Sequence, residues 1–542
     1  MKNKFTCLIL LVIIPILSIG QVSFTTESVS VPGEDLGFVD MNNDQLDDLI
    51  GITSSLIQIH YQQENGTYTE VSYPISGLYS PSWSMAVGDF DANGFNDFVW
   101  GSTSGVNVLK ANETGTDWTV AASSNSVFTQ RTNFVDINND GHLDVFVCDD
   151  VEPNEYFIND GNGNLTLFEG ADPNGVPEGL GLYPTGGNYG SVWIDYDNDR
   201  DIDMFLAKCG GEQARRVNEL FRNNGNSSFT EVGAAAGLAD PIQTWSSAWG
   251  DYDNDGDMDC FVGSSDSNEE HKLMRNNGDG TFTDVSIDSG VMASQEFYHE
   301  QMFIDFDNDG WLDIFVNGDI LYNDGDGTFT LDPRSSTGLS GFGGAFGDYN
   351  NDGFMDLFRT NVSLNGGNSN NWLKIATVGV QSNRNGIGAR IEINTPSGNQ
   401  IRDIRSGEGF KYMSTMNAHF GIGTDTQINT ITVYWPSGTV DLITNPDINT
   451  CLLITEGETL SLQDTLVDDL IIYPNPTKGV LNLNTTNGFE NAIFSVFDMT
   501  GKRVLNSKLS ANMIDVTELS VGTYILRIMD KGKIKTQKFI KE

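Results

Sequence analysis

Positive charge is scarce in this chain. Against 75 aspartates and glutamates stand only 29 lysines and arginines, for a formal net charge of −46 over 542 residues. That balance excludes nucleic acid as the expected partner, because a phosphate backbone demands Lys and Arg. Cysteine is nearly as scarce, with five in all. Cys148, Cys209, Cys260 and Cys451 follow no zinc-ligand spacing. A Cys148–Cys209 bridge and a set of buried free thiols both remain open, since both cysteines follow Asp-rich loops in adjacent repeats. Five histidines leave few centres for imidazole catalysis, and no Gly-x-Ser-x-Gly elbow, His-Glu-x-x-His pair or phosphate loop occurs. Long apolar runs are missing as well. The run Phe5–Leu17 is too short to favour a permanent span. Preceded by Lys2 and Lys4 and followed by Ser18-Ile19-Gly20, it reads as a secretory signal over residues 1–20.

What the chain has in abundance is glycine, 59 residues, with 38% hydrophobic residues. This suits a turn-rich all-β protein better than a disordered one. The acids are clustered, and the clusters recur. Asp251-Tyr-Asp253-Asn-Asp255-Gly-Asp257-Met-Asp259 is the cleanest copy, and the same nine-residue phase begins at Asp40, Asp89, Asp136, Asp195, Asp305 and Asp348. The mean step is about 51 residues, close to the length of a propeller blade. Short β-branched and aromatic runs flank each loop, such as Ser191–Ile194 before and Ile314–Val316 after, and read as strands buried on both faces. Asn/Gly turns farther along, as in Leu273–Thr283, add a second hairpin and make four strands per repeat. The seventh repeat stops short after Asn365. Its missing strand resembles Ser23–Val29, so the N-terminal strand is expected to complete the last blade and close the ring.

Numbered from the first Asp, positions 1, 3, 5 and 9 of each loop offer side-chain oxygens and position 7 a carbonyl. Loop 1 supplies Asp40, Asn42, Asp44 and Asp48, with Leu46 at position 7; loop 2 supplies Asp89, Asp91, Asn93 and Asp97, with Phe95. Loop 3 supplies Asp136, Asn138, Asp140 and Asp144, with His142; loop 4 supplies Asp195, Asp197, Asp199 and Asp203, with Asp201. Loop 5 supplies Asp251, Asp253, Asp255 and Asp259, with Asp257; loop 6 supplies Asp305, Asp307, Asp309 and Asp313, with Trp311; loop 7 supplies Asp348, Asn350, Asp352 and Asp356, with Phe354. Alternate oxygens of a tight loop converge on one point, and hard oxygen donors without sulfur or imidazole favour Ca²⁺. Unneutralised, each pair of carboxylates would repel by about 1–4 kcal/mol. About one Ca²⁺ per blade is expected, in a structural rather than a catalytic role. Loops 1 and 4 depart from the pattern, with Gln45 and Arg200 where the others turn on glycine.

The repeats over residues 24–370 resemble the FG-GAP/VCBS family of β-propellers. Residues 371–457 resemble the ASPIC/UnbV domain through Asn371-Trp372-Leu373, Ser382–Arg390, His419–Gly423 and Val433–Gly438. The cartilage acidic protein family pairs such a domain with a propeller. Residues 470–542 resemble the type A C-terminal sorting domain of type IX secretion, through Tyr473–Pro476, Val496–Lys502 and Leu519–Tyr524. The resemblances imply an all-β chain. Its expected parts are a signal (1–20), a seven-bladed calcium-binding β-propeller (21–370), a small β domain (371–457), a linker (458–469) and an Ig-like β-sandwich (470–542). They also imply export across the outer membrane of a Bacteroidota-type cell by the type IX machinery.

The residue six before each loop begins the innermost strand at the opposite rim. It is Trp83, Tyr189, Trp245, His299 and Phe342 in repeats 2, 4, 5, 6 and 7. An aromatic ring at a propeller mouth suits an extracellular glycan or protein ligand, and blade-to-blade packing is the competing use. A polysaccharide lyase or hydrolase on the same scaffold is the enzymatic alternative, with Glu296, Tyr298, His299 and Glu300 as its local candidates.

Overall fold

Strands pair in chain order throughout the repeat region, because each short apolar run is separated from the next by a tight turn. The computed structural model describes residues 22–33, 35–169, 180, 186–212, 215–225, 228–339, 342–458, 471–484, 493–498, 503–509, 513–530 and 533–542. The signal segment and nearly all of the expected linker lie outside them. Among the described residues the repeats form seven four-stranded antiparallel sheets, numbered here 1 to 7 in chain order of their Asp loops. Sheet 5 is typical: Thr244–Gly250, Asp259–Ser264, Lys272–Asn276 and Phe282–Asp284 pair in sequence. Sheet 7 takes its outer strand from the other end of the repeats, where Phe24–Glu27 pairs with Val362–Asn365. The ring therefore closes through the N-terminal strand.

Burial falls from hub to periphery. All of Thr129–Val135, the inner strand of sheet 3, is buried, whereas the outer strand Tyr68–Pro74 of sheet 1 alternates between half-buried and exposed. Trp193, Trp249 and Phe303, each two residues before a loop, lie in the core. Among the described residues the cysteines, Cys148, Cys209, Cys260 and Cys451, are free. Cys148 Sγ donates to Ser191 Oγ at 3.3 Å and Cys209 Sγ to Gln243 Oε1 at 2.9 Å, so the Cys148–Cys209 bridge does not form.

Residues 371–457 form two further sheets. One has three strands, with Asn371–Val378 between Ala418–Gly423 and, in parallel, Cys451–Thr455. The other has four, from Arg390–Asn394, Asn399–Asp403, Thr430–Tyr434 and Val440–Thr444. This domain belongs to the same compact unit as the ring. Its Leu373, Ile391, Phe420 and Val433 share one apolar cluster with Ile50, Val87, Phe98 and Val145 of sheets 1 to 3. The C-terminal unit is separate. It holds a three-stranded and a four-stranded sheet around a core that includes Leu481, Val496, Leu526 and Phe539. Among the described residues no helix is long and apolar enough to cross a membrane.

Candidate metal centres and the domain that caps them

Each Asp loop joins the first two strands of its sheet, so all seven lie on one rim. The turn is enforced by backbone geometry. Position 4 is left-handed in every loop, with φ between 55° and 62° at Asn43, Ala92, Asn139, Asn198, Asn254, Asn308 and Asn351. Position 6 is left-handed too, and Gln45 (φ 73°) and Arg200 (φ 77°) adopt that conformation in place of glycine. Loops 1 and 4 thus keep the turn at the cost of strain. Replacing Gln45 with glycine is expected to stabilise the protein by about 1 kcal/mol, read as a higher urea midpoint with an unchanged slope.

The position-9 carboxylate is a staple. In all seven loops one oxygen accepts the position-2 amide, as from Met41 to Asp48 (2.8 Å), Tyr252 to Asp259 (3.2 Å) and Tyr349 to Asp356 (2.7 Å). The other oxygen accepts an amide from the third strand, as from Asn159 to Asp144, Asn276 to Asp259 and Asn323 to Asp313 at 2.7–2.9 Å. The same third-strand asparagines reach the previous loop. Nδ2 of Asn159, Asn276, Asn323 and Asn365 donates to the position-2 carbonyls of Phe90, Tyr196, Tyr252 and Phe306. These sheet-linking asparagines were not singled out in the sequence, although their recurrence before the Asn/Gly turns was the available signal.

Ligand oxygens converge most closely in four loops. Asp89, Asp91 and Asp97; Asp195, Asp197 and Asp199; Asp251, Asp253 and Asp255; and Asp305, Asp307 and Asp313 each bring one atom within 4.8 Å of the others. In loops 1, 3 and 7 the position-3 asparagine instead donates to the position-5 carboxylate at 2.9–3.0 Å. Burial pushes the position-1 carboxyls up, to about 7 at Asp40, Asp89 and Asp251 and to about 6 at Asp136 and Asp195. Carboxyls this deep need a counter-charge to stay ionised. Asp195 Oδ1, Asp197 Oδ1 and Asp253 Oδ1 are buried without a hydrogen-bond partner. Orphaned oxygens in an all-oxygen donor set fit a hard cation.

The rim of Asp loops is partly covered. Residues 371–457 reach the loops from above: Asn417 Nδ2 meets Asp47 at 3.3 Å, Asn385 Oδ1 accepts from Asp89 N at 2.7 Å, and Arg390 donates to Asp195 O at 2.7 Å. Gly423 N donates to Asn308 O at 2.8 Å, and His419 Nε2 lies 2.9 Å from Gly353 O. Burial holds His419 down to about 4, in its neutral form. Arg390 also forms a two-pronged pair with Asp403 at 2.7 and 3.0 Å. Arg390 and His419 therefore serve local partners.

From this cap a segment, residues 404–417, descends into the centre of the ring. Met413 bridges Gly37 of sheet 1, and Met85 N of sheet 2 donates to Lys411 O at 3.1 Å. On sheet 3, Asn133 Nδ2 holds Ser406 O and Gly407 O at 3.0 and 2.9 Å, while Arg131 donates to Phe410 O and Tyr412 O at 3.2 and 3.1 Å. Arg405 donates to Trp249 O at 3.0 Å and Thr415 N to Phe346 O at 2.8 Å. The tip needs glycine: a Cβ on Gly407 (φ 90°) would lie 2.0 Å from Arg131 Nη2, and one on Gly409 (φ 64°) 2.0 Å from Glu300 Oε1. A cavity of about 100 Å³ remains beside the segment, lined partly by Met258, Met302, Met355 and Met416.

Phe410, at the tip, sits among the aromatic residues expected at the mouth. Its ring centroid lies 6.2 Å from Trp83, 6.2 Å from Tyr189, 5.0 Å from Trp245 and 5.6 Å from His299. Trp245 and His299 stack at 3.7 Å. Phe342 stands apart from Phe410, against Tyr298 (4.9 Å) and beneath the Arg334 guanidinium (3.8 Å). The four rings around Phe410 are half-buried, and Tyr298 is 46% exposed. Two of the four lyase candidates, Glu296 and Glu300, are tied into structural contacts. Glu300 is buried and accepts the Phe410 and Lys411 amides at 3.0 and 3.2 Å, while Glu296 pairs with Arg334 at 3.1 Å. Burial lowers His299 to about 4.

The loop phase coincides with a known family signature. The FG-GAP-like repeat matches residues 40–100, 89–147, 136–206, 195–262, 251–316 and 305–358. The chain belongs to the FG-GAP repeat family. This FG-GAP protein also matches ASPIC and UnbV over residues 379–461 and the secretion system C-terminal sorting domain over 471–542. The sorting domain places it on the type IX route, secreted or at the cell surface in Bacteroidota. It is similar to cartilage acidic protein 1 of Mus musculus, 30% identical over 259 residues, and of Homo sapiens, 30% over 263. These matches cover 41% of this chain and 38% and 37% of those proteins, so the chain spans under two fifths of their length. Among solved structures, Sqt1 of Saccharomyces cerevisiae aligns at 11% identity and a TM-score of 0.39, covering 79% of this chain and 99% of Sqt1. The extracellular domain of a hybrid two component system of B. thetaiotaomicron, BT3049, aligns at 11% identity and 0.40, covering 96% of this chain and 72% of that domain.

Proposed function

We propose that this protein is an exported, calcium-binding β-propeller that acts as a surface or secreted binding module for an extracellular glycan or protein. Calcium follows from the donor set: oxygen atoms alone, three or four carboxylates per loop, with buried oxygens that no protein group satisfies. The ions hold the loops and take no part in chemistry, because the side-chain donors of each loop are committed to its ion and leave no general base beside it.

The observation that carries the binding role is the aromatic mouth on the opposite rim. Trp83, Tyr189, Trp245 and His299 are fixed by Phe410 yet only half-buried, with Tyr298 exposed beside them. Rigid aromatic faces that lose no further freedom on binding suit sugar rings and protein anchors alike. The test is a glycan array probed with the calcium-loaded full chain, alongside Tyr298→Ala. The variant should bind at least about tenfold more weakly, with a melting temperature within about 2 °C of wild type. Equal binding by both proteins would remove the mouth from consideration, and turnover of an arrayed glycan would favour an enzyme.

A further inference from the structure

The seven loops do not stand equally open to a divalent ion, because one of them already receives a cation from the capping domain. Lys374, in the strand Asn371–Val378, is 2% exposed at its side chain, and its Nζ lies 2.7 Å from Oδ2 of the fully buried Asp348, position 1 of loop 7. Asp348 Oδ2 also accepts Gly353 N at 2.9 Å and Oδ1 accepts Asp352 N at 3.1 Å, the pair of amide bonds that the position-1 carboxylates of loops 2, 3, 5 and 6 make as well. Asn350 Nδ2 donates to Asp352 Oδ2 at 2.9 Å. Loop 7 therefore offers three carboxylates, one matched by a buried ammonium and one capped by an amide.

Among the described residues no other position-1 carboxylate accepts a hydrogen bond from a buried cation. In loop 4 Arg390 pairs closely with Asp403, at 2.7 and 3.0 Å, and makes only a longer ion pair with Asp195, at 3.5 Å, where the exposed Arg200 lies at 3.9 Å. Lys110, which pairs with Asp91 of loop 2, is 37% exposed and screened by water. Loops 5 and 6 carry four carboxylates each. Arg402 faces both Asp251 and Asp305, so its one charge is shared between two loops, and its hydrogen bonds go to His419 O, Ile401 O and Gln400 Oε1 rather than to either carboxylate.

The geometry points to an unequal set of calcium sites in which Lys374 serves as the built-in cation of loop 7, leaving that loop the weakest. Affinity in oxygen-ligand sites rises with the number of ligand charges, and a fixed positive charge beside a position-1 ligand lowers it. The inference rests on the calcium reading above. It is tested by titrating chelator-stripped full-length protein with calcium chloride, following stoichiometry by calorimetry and native mass spectrometry. In wild type, Asp305→Asn should remove one tightly bound ion, whereas Asp348→Asn should leave the number of tight ions unchanged. Lys374→Met should add a tight ion, with loop 7 strengthened at least about tenfold. If Asp348→Asn costs a tight ion as Asp305→Asn does, or folded Lys374→Met binds as wild type does, the inference is overturned. Should Lys374→Met not fold, the two Asp→Asn variants alone decide. If wild type takes up no tight calcium at all, the calcium reading itself has failed.

Discussion

Stripping calcium with a chelator is expected to lower the melting temperature by more than about 10 °C. The magnitude follows from mass action. Extracellular oxygen-ligand sites bind at about 0.1–1 mM, and an ion supplied at a hundred times its dissociation constant stabilises the folded state by about 2.7 kcal/mol per independent site. Even if only the four loops with the closest carboxylate clusters are counted, the total reaches about 11 kcal/mol, comparable to the whole stability of an ordinary domain. Removing the ions also leaves adjacent buried carboxylates to repel one another. Magnesium should restore little of the loss, because it resists giving up its waters to a preformed loop. Calorimetric scans with chelator, with calcium and with magnesium decide the matter; coincident melts would end the structural role assigned to the ions.

Phe410→Ala should also destabilise the ring, although the residue lies far from every loop. The ring is 1% exposed and packs on four aromatic neighbours contributed by sheets 2, 4, 5 and 6. Truncating such a side chain costs about 3–5 kcal/mol, and in a unit of this size should lower the melting temperature by about 3–5 °C. Trp83 and Trp245 would lose their packing partner, so tryptophan emission should shift to the red before the main transition. Ile287→Ala, at a side chain 86% exposed, should change stability by less than about 0.5 kcal/mol. If Phe410→Ala melts with that control, the tip of the segment is not anchoring the ring.

The parts of this molecule that repeat were legible from its residues. The period of the Asp loops and the stray Ser23–Val29 strand anticipated the sheet order, and the hard-oxygen pattern anticipated the position-1 clusters. Outside the repeat the two further domains were legible as resemblances, but the contacts between segments were not. Arg131, Glu300, Gly407 and Gly409 each occur once, and their meaning depends on a contact between segments more than 100 residues apart. The aromatic positions were visible as a set, but not that Phe410 fills the space among them, since nothing local to Phe410 marks it as buried. Lys374 reads as an ordinary alternating strand residue, and only its burial against Asp348 reveals a counter-ion. The position-9 aspartates were read purely as ligands, whereas each also binds two backbone amides, a dual use that spacing alone does not disclose.

The strand Phe24–Glu27 has a consequence for how the chain assembles. It is made first and used last, waiting for partners at Val362–Asn365 that emerge some 340 residues later. Closing so long a loop is entropically slow, and the half-made ring keeps an unsatisfied sheet edge throughout. Residues 404–417 appear later still, yet they end up encircled. Either the clasp shuts around them or they thread a finished hub, and the first order avoids forcing a bulky phenylalanine through a closed bore. Maturation would then be timed by the downstream domain, with the earliest strand locking only after its own cargo has been seated.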